Sequence, residues 1–278
     1  MKKVSILIII AIIGIILIIT GVLTGGSYSA KLKKDGIVFN DNNNNNNNNI
    51  ETIINNDIKI IDIESKYLGI DIESGDHFKI TYNNNYVEVL KNGNKLEIIN
   101  NKEVENGYVN LNPFDIDKNN EIKITIPKNI NLDELIIDSK VGNIDIENIT
   151  SKNVNITNNT GNVELNEIIS ANITIKNNVG NTDIEEVSTD ILNIINNTGA
   201  IEVSDSLVNK LDTKIDTGNI EIDSDTFENE YNLDLKTNLG SVEVNKQKHS
   251  NVYKINNNTK KYINAFTNKG VIKLEFEN

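Results

Sequence analysis

The chain has 278 residues, 38% of them hydrophobic, and only two prolines, which suits a globular region of one or two domains with a real core and excludes a disordered chain. It has no cysteine and no arginine and a formal net charge of −13. These features remove disulfides, thiolate metal sites and cysteine nucleophiles, and they argue against a nucleic-acid partner, because the guanidinium forks that grip phosphates and base edges are missing.

Residues 1–3 form a short basic flank, and from Val4 to Thr24 every residue is apolar, glycine, serine or threonine. As a helix this run spans about 31 Å at roughly 1.5 Å per residue, the thickness of a bilayer core. Ser27 and Ser29 offer a small-x-small cleavage site, but the run exceeds the usual signal-peptide core of about 7–15 residues. An uncleaved signal anchor at 4–24 is therefore expected, with the N-terminus inside and the body outside the cell membrane. Asp41 is followed by an unbroken asparagine tract, Asn42 to Asn49, which has no apolar face to bury. Residues 25–50 read as a flexible stalk with a root-mean-square span of roughly 28 Å.

Beyond the stalk, isoleucine, valine and asparagine dominate and alanine is scarce, so local propensity favours strands and turns over helices. The organising signal over 51–278 is a glycine series. Gly142, Gly161, Gly180, Gly199 and Gly218 recur at a constant interval of 19 (161 − 142, and so on to 218 − 199), and Gly240 and Gly270 follow at intervals of 22 and 30. Fixed periods near 20 mark solenoids and related arrays. Two and four positions after the glycines sit mostly aliphatic residues, such as Ile144 and Ile146, Val163 and Leu165, and Ile201 and Val203. That alternation buries one face of a strand. A second strand precedes each following glycine, as in Val154-Ile156 and Ile173-Ile175, so two short strands and two turns fill each unit.

Each glycine follows a polar turn, where positive φ or close backbone approach would require it. Asn158, Asn177 and Asn196 share one repeat position, and stacked units would set them in an amide ladder. One unit buries too few side chains to offset the entropy of ordering its backbone, so the units must stack on one another. The expected fold is all-β and β-solenoid-like, clearest over 141–245. An antiparallel meander with the same period is the alternative.

Between the two buried positions lies an outward one, occupied by Asp145, Glu164, Asp183, Glu202, Glu221 and Glu243, and widened two residues further on by Glu147, Glu185 and Asp223. Stacking makes this an acidic column. Oxygen ligands in such a row could take Ca²⁺. The reading preferred on the residues is a solvated, solubilising face, because no compact aspartate-glycine calcium loop accompanies the column. His77 and His249 are far apart, and the chain shows no nucleophile elbow, phosphate loop or metal-ligand triad.

The segments IKIIDIESKYLGIDIESGDHFKITY (58–82), KLEIIN (95–100) and EIKITIPKNINLDELIIDSKVGNIDIENI (121–149), with the repeats after them, resemble the DUF4097 family. That family is also called Toastrack and carries an adhesin label. The resemblance covers roughly 50–278 and implies an all-β, solenoid-like, extracytoplasmic module, often tied to cell-envelope stress systems and credited with no defined catalytic activity. The chain is accordingly expected to be a non-catalytic, membrane-anchored binding module that meets envelope proteins or surface ligands and needs no cofactor. A structural scaffold that assembles laterally is the alternative.

Overall fold

The computed structural model describes residues 30–33, 36–39, 49–54, 57–83, 87–100 and 121–276. The apolar run 4–24 and most of the asparagine tract lie outside the described residues. Among the described residues no helix is long and apolar enough to cross a membrane.

The chain forms two compact units, one of Met1–Asn47 with Glu103–Lys118 and the other of Asn48–Lys102 with Asn119–Asn278. The described part of the first is an antiparallel hairpin, Ala30–Lys33 with Gly36–Phe39. Apart from the start of strand Asn49–Ile53, the rest of the stalk expected over 25–50 lies outside the described residues.

The second unit is a stack of β coils. A typical coil comprises a long strand, Thr150–Thr160, and a short one, Val163–Asn166. Both lie parallel and in register with the corresponding strands of the next coil, Ile169–Val179 and Thr182–Glu185. Parallel pairing selects the solenoid over the antiparallel meander. The core is a set of largely aliphatic columns, one running Leu135, Val154, Ile173, Leu192 and Leu211 and another Ile144, Val163, Thr182, Ile201 and Ile220. Every member of both is buried.

A coil has three corners, one more than the sequence pattern suggests. The ladder between long strands skips Lys152 opposite Ala171 and Asn159 opposite Asn178, so the long strand bends near its start and again just before the glycine. The third corner uses left-handed backbone at Asn148, Glu167, Glu186 and Asp205, with φ of 55°, 53°, 51° and 47°. Glutamate has no intrinsic preference for that region, so the corner is imposed by the coil.

The glycine corner has its own logic. Gly161, Gly180 and Gly199 hold φ near +140° (138°, 143° and 142°), and a Cβ on any one of them would overlap the carbonyl oxygen of the glycine one coil earlier. Coils can close to strand spacing there only because nothing projects from the backbone. The asparagines three residues before each glycine are buried. The expected side-chain ladder among Asn158, Asn177 and Asn196 is not what forms. Asn158 Nδ2 donates to the carbonyls of Gly142 (3.3 Å) and Gly161 (3.0 Å), and Asn177 Nδ2 to those of Gly161 and Asn181 (3.1 Å each). Each amide thus staples two coils through their backbones. The amide ladder lies one residue further on and faces outward, where Asn178 Nδ2 donates to Asn159 Oδ1 (3.0 Å) and Asn197 Nδ2 to Asn178 Oδ1.

The ends of the stack do not follow chain order. Strands Lys261–Lys269 and Ile272–Phe276 lie between coil 207–224 and coil 231–244, pairing in parallel with both. The glycine column therefore runs Gly218, Gly270, Gly240. At the opposite end Lys95–Asn100 and Glu121–Pro127 lie outside coil 60–75, which itself pairs with coil 131–147. Antiparallel strands cover both ends: Lys79–Asn83 and Glu88–Asn92 at one, Gln247–His249 and Val252–Ile255 at the other. Such covers blunt edges that would otherwise recruit further strands.

Candidate functional site

The short strands position the acidic column. Their apolar residues point into the core, so the residue between them faces solvent, and parallel register places each carboxylate over the next at about 4.8 Å. The column reads Asp71, Asp145, Glu164, Asp183, Glu202 and Glu221. Asp71 extends the periodic series by one coil, although it lies outside the regular glycine interval. Its signal was the repeated tetrad Ile-Asp-Ile-Glu at 70–73 and 144–147.

Glu243 does not continue the row directly, because Lys273 stands between it and Glu221. This is a consequence of the inserted coil. Lys273 Nζ lies 3.4 Å from Glu221, while at the other end Lys123 Nζ reaches Asp71 (3.0 Å) and Glu73 (2.9 Å). A lysine thus closes each end of an uninterrupted run of carboxylates. Burial opposes the charge on Lys123, but the hydrogen bonds it donates to Glu73 and Asp71 outweigh burial and raise the pKa. The parallel column two residues on is broken by neutral side chains: Glu73, Glu147, Asn166, Glu185 and Ser204.

Burial and crowding act together on two carboxylates of the row. Burial, then the adjacent carboxylates Glu164 and Asp71, raise the pKa of Asp145, and burial followed by Glu202 raises that of Asp183. A raised folded-state pKa means stability that is present below the unfolded value near 3.9 and lost as pH rises through the folded one. Asp183→Asn is therefore expected to stabilise the protein at pH 7 by about 0.5 kcal/mol, the solvent-screened scale of a half-exposed charge. The gain should vanish near pH 3, and melting curves at the two pH values would check it.

The carboxylates form a line and do not converge. Among the described residues no group of three or more histidine or acidic side chains is arranged to hold a metal ion. His77 and His249 lie in separate parts of the stack, and His249 packs on the Tyr253 ring, with centroids 4.4 Å apart. A shallow open groove of about 380 Å³ crosses the first corner between Lys59, Asp133 and Lys152, where Lys59 Nζ donates to the Asn131 carbonyl (3.0 Å). What these surfaces offer chemically is repeated, regularly spaced polar contact.

Residues 58–275 match the family model described as Toastrack DUF4097. Among solved structures, a candidate cell adhesion protein from Clostridium sporogenes is similar at 16% identity and a TM-score of 0.40, over 82% of this chain and 99% of that one. A candidate adhesin from Bacteroides fragilis is similar at 14% identity and a TM-score of 0.44, over 82% and 96% of the two chains. Comparison with curated proteins finds no match.

Proposed function

The chain belongs to the Toastrack DUF4097 family, and from that premise we propose that it is a membrane-anchored, extracytoplasmic binding module without catalytic activity, adhesin-like or tied to the envelope-stress systems of its family. The observation that carries the reading is the outward face of the stack. The carboxylate row from Asp71 to Glu221 and the amide row Asn159, Asn178 and Asn197 repeat one chemical group at strand spacing along the coil axis. Repetition of that kind suits many weak, identical contacts with an extended partner. The apolar run 4–24 supports anchorage, since its length suits a single pass.

Protease shaving of intact cells carrying a tag after Asn278 tests the reading. The tag is expected to be lost while a cytoplasmic control survives. A tag that persists in intact cells and disappears only after lysis would place the coils in the cytoplasm and overturn the extracytoplasmic assignment. Concentration-dependent assembly of the purified chain would favour the lateral scaffold instead.

A further inference from the structure

One line of side chains on the long-strand face differs from the rest of the surface. Across six adjacent strands, parallel and antiparallel register aligns Lys176, Ile195, Lys214, Phe266, Lys236 and Val252. Cationic and apolar residues alternate without a break. At about 4.8 Å per strand the line is about 24 Å long, with a lysine roughly every 10 Å. The three lysines are exposed, as are Ile195 (45%) and Val252 (43%), while Phe266 is half-buried.

The lysines make no ion pair among the described residues, whereas Lys95, Lys123, Lys254, Lys261 and Lys273 each reach a carboxylate. The carboxylates flanking the line already have partners. Asp212 accepts from Tyr262 Oη and Asn264 Nδ2 (2.8 Å each), Asp216 from Asn268 Nδ2 (3.0 Å), and Asp234 pairs with Lys254 (2.6 Å). In a chain of net charge −13, this is a local row of three lysines outside any ion pair of the described residues, with Asp212 and Asp216 two positions on either side of Lys214, and it is separated from the acidic column by the glycine corner.

We propose that the Lys176–Val252 strip docks the stack onto an anionic bilayer surface. The charge selects an anionic partner. The interleaved aliphatic and aromatic side chains select a bilayer over a soluble polyanion, because apolar groups gain at the boundary between headgroups and acyl chains while lysine stems carry their ammonium groups to the phosphates. The inference rests on the membrane-anchored reading. Residues 25–48 alone separate the apolar run from strand Asn49–Ile53, so on that reading anchorage itself supplies a high effective concentration, and a modest affinity suffices.

The native chain lacks cysteine, so single probes can be placed without background. The full chain bearing Thr157→Cys, which adjoins Lys176 in the same line, is labelled with an environment-sensitive fluorophore and reconstituted in phosphatidylcholine vesicles with or without an anionic phospholipid. Glu164→Cys on the acidic column is the control. A blue shift is expected at 157 in anionic vesicles alone, absent at 164 and reversed by high salt. The triple variant K176Q/K214Q/K236Q should lower the docked-to-free ratio on the order of a hundredfold, about fivefold per lysine. Equal shifts at both positions, a shift indifferent to the triple variant, or a water-like probe in both lipid mixtures would overturn the proposal. So would a response to soluble polyphosphate in place of vesicles. Failure of the chain to co-float with vesicles would count against anchorage instead, and the same labelled chain added to preformed anionic vesicles would still decide the docking question.

Discussion

Gly180→Ala is expected to destabilise the protein by about 4 kcal/mol or more and to lower the melting temperature by roughly 8–16 °C, the scale for a domain of this size. Two causes act together. The backbone at Gly180 holds φ at +143°, which an L-residue with a Cβ adopts only under strain. The added methyl would also collide with the Gly161 carbonyl oxygen, a backbone atom that can move only if two coils separate. Separation would stretch the ladder on both sides of the corner. Gly93→Ala is the control: it too has positive φ, at +61°, but nothing lies within 4 Å of the new Cβ. The cost there is conformational alone, about 1–2 kcal/mol. Equal losses at the two positions in thermal denaturation would rule out coil contact as the dominant effect.

Asn177→Asp is the second change expected to be severe, at about 4 kcal/mol near neutral pH. It preserves shape and replaces a donor with an anion. Asn177 is 2% exposed, and its amide donates to two backbone carbonyls, so an ionised carboxylate there would face oxygen atoms that repel it. The folded-state pKa of the introduced acid must rise. Its stability contribution is then greatest below the unfolded pKa near 3.9 and falls as pH increases. The variant should approach the parent near pH 3, where a protonated carboxyl can again donate, and diverge from it at pH 7. A loss independent of pH would indicate that packing, and not the donor, is what the site requires. The same column holds Ile215 in coil 207–224 and Thr267 and Thr237 in the two beyond it, with Thr267 Oγ1 donating to the Gly218 carbonyl (2.9 Å). Asn177→Thr should therefore be milder than Asn177→Asp.

Much of the architecture was legible because each coil repeats one physical problem. The constant glycine interval and the alternation of residues such as Val163, Glu164 and Leu165 located the coils, their buried side and the acidic row. The inward aim of Asn158 was also legible in principle, since it shares parity with Val154 and Ile156, but asparagine beside glycine reads more readily as a turn. The left-handed corner at Glu167 and Glu186 left no trace, because neither residue favours that backbone and only the closed coil imposes it. Coil order at the ends was hidden for a different reason. The longer intervals before Gly240 and Gly270 fix how much chain intervenes and not which neighbour each strand selects. The interruption of the acidic row by Lys273 followed from that same hidden choice.

The placement of residues 261–276 between two earlier coils also bears on how the stack is completed. Coils from 150 to 224 can each dock on the repeat just before them in the chain, which is already synthesised. Coil 231–244 has no such neighbour, for the strand that would join it to coil 207–224 emerges from the ribosome after it. Lys210 finds its partner Tyr262, and Ile220 its partner Ile272, only across an interval of 52 (262 − 210 and 272 − 220). Closing loops of that length is slower than stacking adjacent repeats. This segment therefore acts as a keystone: a nascent chain halted before residue 261 lacks the course that joins coil 207–224 to coil 231–244.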